Sequence, residues 1–259
     1  MEETIWDLRT DKTIAAIKEG KRLDGRKFDE YREVKIVNDI SENADGSARV
    51  LLGKTDVIAG IKMVPGDPYP DSPDEGTISV GAELLPLASP SFESGPPREE
   101  ATELARVVDR GIRESKAIDF KKLCIREGEL VWIVFIDVYT MNHDGNLFDA
   151  CSIAALSSLL KTKIPKLEAD RVVAHEYAGK LALARKPLLS TFAKMANNVV
   201  LDPILSEEKA MEARFSCATT EDDCLCAFQK GGGGSFTESE IDNCIDVAFK
   251  KAKDIRKLL

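Results

Sequence analysis

Apolar residues recur at two different periods along this chain, and the switches between them mark its elements. Ile5, Leu8, Ile14, Ala15 and Ile17 predict a helix over residues 4–19 that Gly20 stops. A basic turn, Lys21-Arg22-Leu23-Asp24-Gly25-Arg26, comes next. Strand-like runs at 34–37, 48–52 and 57–64 are separated by Asp45-Gly46 and Gly53-Lys54, turns short enough for an antiparallel meander. A further strand is predicted over 77–84. From about Arg98 to Lys116, Ala101, Leu104, Ala105, Val108 and Ile112 then fall at helical spacing. An apolar strand over 130–138 runs into a helix of small and apolar residues over 147–161.

Beyond Pro165 the alternation restarts, with strands predicted near 172–174, 181–184, 191–195, 198–201, 214–218 and 224–229. After Gly231 to Gly234 a last helix begins at the capping-box sequence Thr237-Glu238-Ser239-Glu240, with Ile241, Ile245, Ala248, Ala252 and Ile255 along one face. Two connections are irregular: residues 65–76, an acidic loop with prolines throughout that lacks calcium-loop spacing, and the Pro/Ser-rich 86–97. Strands followed by paired helices, twice over, predict an α+β protein whose helices cover one face of each sheet. Residues 1–25 form an N-terminal helix and basic turn, 26–165 a first lobe and 166–259 a C-terminal lobe.

Composition narrows the class. With 259 residues, 43% of them hydrophobic, the chain can bury a large core. Its net charge of -9 gives an overall field that repels nucleic-acid backbones and anionic membranes, so any such contact must be local or shared with a basic partner. The six cysteines lack C-x-x-C spacing and read as reduced, buried thiols, while two isolated histidines, His143 and His175, propose no metal site. The longest apolar run, 130–136, is too short to span a bilayer and the N-terminus is not a signal peptide, so a soluble, cytoplasmic protein is expected.

Two segments carry candidate chemistry. Residues 142–152 place a Gly-containing turn before a helix start, whose amides and dipole suit an anion. Yet there is no Lys or Arg between Val138 and Lys161, and Asp144 and Asp149 add negative charge, so phosphate would be repelled. On local evidence alone a plain capped strand-to-helix connection is the better reading. On the 98–116 helix, Arg106, Arg110 and Arg113 line up on one face and could track a phosphate backbone. Glu103, Asp109 and Glu114 stand near enough to pair with them, which would leave only a solvated ionic face. The four glycines lack a following Walker lysine and read as a flexible turn.

In this order, the pieces resemble the RNase PH family from about Arg22 to Lys257. Arg22-Leu23-Asp24-Gly25-Arg26 is similar to the start of exosome ring subunits, Gly46 to Val50 with Gly53-Lys54-Thr55 to the family's paired first strands, and Gln229 to Phe236 to its turn before the last helix. The run Glu99 to Ser115 resembles the non-catalytic RNase PH-like ring subunit of archaeal exosomes. The resemblance implies the RNase PH fold, with two βαβα-type lobes like domain 2 of ribosomal protein S5. Active members degrade RNA from its 3′ end with inorganic phosphate as the attacking group, and neutralising that chemistry takes cations, commonly with a metal ion.

Against those members this chain departs twice. Where they continue Asp-Gly with Gly-Thr-Arg and hold phosphate, it carries Asn146, Leu147 and Phe148. Where they carry Asp-x-Asp, it carries Glu212 and Arg214, so the essential carboxylate becomes a cation. The resemblance therefore implies a subunit with no catalytic residue, metal or cofactor of its own. It would alternate with a catalytic RNase PH-like paralogue, whose reaction uses inorganic phosphate and Mg2+, in a heterohexameric ring capped by S1- or KH-domain subunits. Single-stranded RNA would be gripped by Arg106 and Arg110, and by Arg113. The alternatives are a free-standing phosphorolytic exoribonuclease using Lys230 for phosphate and Glu212 for a metal, or a scaffold that keeps only the fold.

Overall fold

The computed structural model describes residues 2–259, with side chains described from Leu8 onward; the side chain of Ile5 lies outside the described residues. The elements run α1 (Glu2–Lys18), β1 (Val34–Asn38), β2 (Gly46–Leu52), β3 (Thr55–Gly66), β4 (Thr77–Leu84), α2 (Glu99–Glu114), β5 (Cys124–Arg126), β6 (Leu130–Asn142) and α3 (Leu147–Lys161). They continue with β7 (Lys163–Glu168), β8 (Arg171–Lys180), β9 (Leu188–Met195), β10 (Asn198–Leu201), α4 (Leu205–Ala210), β11 (Ala213–Thr219), β12 (Leu225–Gly231) and α5 (Glu238–Arg256). One sheet has the order β1-β2-β3-β6-β4, with β5 also paired to β6, and a second has the order β10-β9-β11-β12. The expected meander is present: β1 to β3 are antiparallel, and β3 pairs antiparallel with β6. Among the described residues only β4 runs parallel to its neighbour, β6.

Helix α3 holds the two sheets together. It packs on β2 and β3 on one side and on β9 on the other, and every residue from Leu147 to Leu159 is buried. A helix apolar all round belongs inside a core, so the expectation that helices cover a single sheet face is corrected here. Small residues allow the close fit: Ser158 Oγ donates to the carbonyl of Ala59 at 3.0 Å. Gly46 is required opposite, because a Cβ there would come within 2.5 Å of the Ser158 carbonyl oxygen. Helix α5 starts at the expected capping box, with Thr237 N donating to Glu240 at 2.7 Å and Glu240 N donating to the Thr237 hydroxyl at 3.3 Å. Its Cys244, Ala248, Ala252 and Ile255 are buried.

Four further expectations are corrected. Residues 181–184 make only an isolated bridge, Ile118 to Leu183, because the main chain there bonds to Thr162 and Ala117 on its way to Pro187. The strand placed at 172–174 is the ten-residue β8, which with β7 forms a separate hairpin whose faces are largely exposed and so carry no alternating signal. The short α4 was not expected. Of the cysteines, Cys151, Cys217 and Cys244 are buried, but Cys224 is exposed in the turn between β11 and β12.

Candidate functional site

The turn between β6 and α3 does hold a carboxyl group, and that group is the protein's own. Asn146 is the N-cap of α3 in left-handed conformation (φ 54°), with its side-chain oxygen accepting from Asp149 N at 3.3 Å. Its backbone N–H points outward from the helix start and donates to the Glu208 carboxylate at 2.8 Å. Gly145, at φ 89°, lies so close to the main chain of Ile204 and Leu205 that a Cβ would come within 2.5 Å of it. This contact seats α4, and with it Glu208, against the turn.

Cations reach the turn from distant sequence. Arg32 donates to both carboxylate oxygens of Asp202, at 2.7 and 2.9 Å, and to the carbonyls of Asp144 and Gly145 at 2.7 and 3.1 Å. Arg26 also reaches Asp202, at 2.9 Å, and Arg22 grips the buried Glu207 through two nitrogens, at 2.6 and 2.9 Å. Asn146 Nδ2 bridges Asp149 and Asp202, at 2.9 and 2.7 Å, and the Tyr31 hydroxyl donates to Asp149 at 2.7 Å. The two arginines of the basic turn are thereby committed to internal carboxylates. Local reading missed Asp202; its position at the end of a strand, just before Pro203, was the available signal.

Burial sets the protonation of this cluster. It pushes Asp149 up to about 6 against the hydrogen bonds from Asn146, Tyr31 and Thr191. It pushes Glu208, whose side chain is 17% exposed, up to about 7, while the Asn146 amide, Arg32 and Arg214 act in the opposite direction. His143, stacked on Phe92 with ring centroids 5.3 Å apart, is lowered to about 4 by burial and then by Lys209 and Arg32.

Phe148 and Arg214, the two positions that the resemblance singles out, meet in space. Arg214 lays its guanidinium over the Phe148 ring, 4.0 Å from the centroid, and pairs with Glu103 of α2. It is 9% exposed, and its Nε is buried without a hydrogen-bond partner. A Cβ on Gly231 would come within 2.7 Å of that guanidinium, so the first glycine of the run makes room for Arg214. Gly234 N donates to the Glu212 carbonyl at 2.7 Å, which makes the turn a packed one rather than the flexible one expected. Glu212 turns its carboxylate to the amide of Ala196, at 3.0 Å, and Lys230 donates to the carbonyl of Gly232. Neither faces the α3 turn.

The arginine row divides. Arg113 is tied to Asp109 at 3.0 Å and to the Ile78 carbonyl at 3.1 Å, and it stacks 5.5 Å from the centroid of Phe120. Arg106 and Arg110 are exposed and line a surface groove of about 1320 Å³, together with Glu83, Glu100, Glu103 and Gln229. Arg106 has no hydrogen-bond or ion-pair partner among the described residues, and Arg110 donates to Gln229 at 3.2 Å. Of the acids suspected of neutralising the row, Asp109 pairs with its member Arg113, whereas Glu103 is spent on Arg214 outside it.

Two sheets joined by a buried helix, with a helix-start turn at their junction, define the fold class, and the chain belongs to the 3′ exoribonuclease family. The family's domain 1 matches residues 30–165 and its domain 2 residues 187–251. The chain is 47% identical over 261 residues to the exosome complex component Rrp42 of Thermococcus gammatolerans, spanning 99% of this chain and 96% of the relative. It is 44% identical over 256 residues to that of Archaeoglobus fulgidus, spanning 99% and 97%. Among solved structures, a chain of an Archaeoglobus fulgidus exosome described as having RNA bound to the active site superposes with a TM-score of 0.93 at 44% identity, covering 98% of each chain. A chain of an archaeal exosome core gives 0.89 at 41% identity, covering 99% of this chain and 98% of the other.

Proposed function

We propose that this chain is a non-catalytic, RNA-binding ring subunit of an archaeal exosome that degrades RNA from its 3′ end by phosphorolysis. Its relatives' name and the exosome structures that it resembles support the ring role. The observation that carries the absence of chemistry is the contact of Arg214 with Phe148. By the family resemblance, one position should hold phosphate and the other should supply a carboxylate. Here an aromatic ring and a cation stack on each other, while Glu208 occupies the helix-start amide. An attacking phosphate would meet a bound carboxylate instead of a counter-charge.

The partner is a catalytic RNase PH-like paralogue that alternates with this chain in a heterohexamer, uses inorganic phosphate and Mg2+ in its own site, and lies beneath S1- or KH-domain caps. The complex acts in the cytoplasm. The lone-enzyme alternative draws no support from geometry, since Lys230 and Glu212 are engaged away from the turn. Purified alone, the chain is expected to release no nucleoside diphosphate from single-stranded RNA in phosphate buffer, and mixing with the paralogue should produce release. Robust phosphorolysis by the pure chain would overturn the proposal.

A further inference from the structure

We infer that Gln229 of β12 is a positioning residue for RNA, which extends the contact surface from α2 onto the second sheet; this rests on the RNA-binding role proposed above. Three arginines on and beside α2 are held by carboxylates, Arg98 by Glu93, Arg113 by Asp109 and Arg214 by Glu103, while Arg106 stands without a partner among the described residues. Each such pair cancels the charge that would attract a phosphate. Arg110 differs, because its Nη1 donates to the neutral amide oxygen of Gln229 at 3.2 Å. A neutral acceptor uses one of five guanidinium donors and none of the charge, so the fork is oriented while the rest remains available to a phosphate.

The fold fixes this geometry. Strand β12 is the outer strand of the second sheet, where Gln229 is in register with Ser216 of β11. Strand alternation sends Ala227 and Gln229 to one face, and α2 packs against β12. Phe228 goes to the other face and meets Phe215, with ring centroids 6.2 Å apart. Gln229 is half-buried and lines the same groove as Arg106 and Arg110. It restricts a long side chain before RNA arrives, which lowers the ordering cost of binding.

The test compares Q229A, Q229E and R110A in rings reconstituted with the catalytic partner, by titrating a single-stranded oligonucleotide over a series of salt concentrations. Q229A should weaken binding roughly threefold to tenfold while keeping the wild-type salt slope, because the charge of Arg110 remains. Q229E supplies a carboxylate to Arg110 and should lower the slope by about one, as R110A does. A residue that merely supports the strand would not separate affinity from slope in this way. If R110A changes both and the two Gln229 variants match wild type, the inference fails while the RNA-binding role survives. If R110A changes neither, both fail.

Discussion

Glu208 is held at the start of α3 with its pKa pushed up to about 7, first by burial and then by Asp202. The folded chain therefore keeps a proton that the unfolded chain has released. A carboxyl with a raised folded pKa costs stability above that value and returns it as the pH falls toward the unfolded value. As the pH rises from about 4.5 to 7 the wild-type urea midpoint should fall relative to that of E208Q, in which this group does not titrate, and above about 7 the gap should level off. His143 and Asp149 contribute to both proteins alike and cancel in the comparison. Parallel midpoint curves would show that Glu208 is already ionised throughout. At this scale the sequence revealed the oddity of Phe148 and Arg214 but not that they touch, because a contact between α3 and β11 has no local signature. It also left Glu208 without a role, because an acid on a six-residue helix looks like any solvated acid.

Elements with a strong periodic pattern were legible. The meander, α2, β6, α3 and the capped α5 all stand close to where spacing puts them. The failures have physical causes: β8 is exposed and carries no alternation, α4 is too short for a period, and 181–184 is apolar only because it crosses the core boundary. Helix α4 is fixed by the buried Arg22–Glu207 pair, which also ties down the segment after α1. E207A should cost about 3–5 kcal/mol in denaturant unfolding, since it strands a buried guanidinium; a loss below 1 kcal/mol would mean that the carbonyls of Leu201 and Asp202 suffice for Arg22. The β7–β8 turn offers the opposite opportunity. Ala169 and Asp170 both have positive φ, 48° and 64°, which an alanine adopts at a cost and an asparagine tolerates. A169N should stabilise by roughly 0.5–1 kcal/mol, read as a rise in Tm.

For the whole molecule, the net charge of -9 describes a field and not a surface map. Arg22, Arg26 and Arg32 are committed to internal acids, whereas Arg106 and Arg110 face the groove. Removing the charge at Arg106 or Arg110 should weaken RNA binding by the assembled ring and lower its salt slope by about one each. R113A should leave the slope unchanged, because that arginine is already neutralised by Asp109; wild-type slopes for all three variants would return the row to an ordinary ionic face. The stack of Arg214 on Phe148 has a consequence for how such a chain can change over generations. Restoring an arginine at 148 alone would set two guanidinium groups against each other, and restoring an acid at 214 alone would uncover the ring and face Glu103 with a like charge. Either single reversion is worse than none. Under the non-catalytic role proposed above, the pair works as a ratchet: a lineage that carries it can refine its grip on a neighbour's substrate one residue at a time, but it regains a centre of its own only by two changes at once.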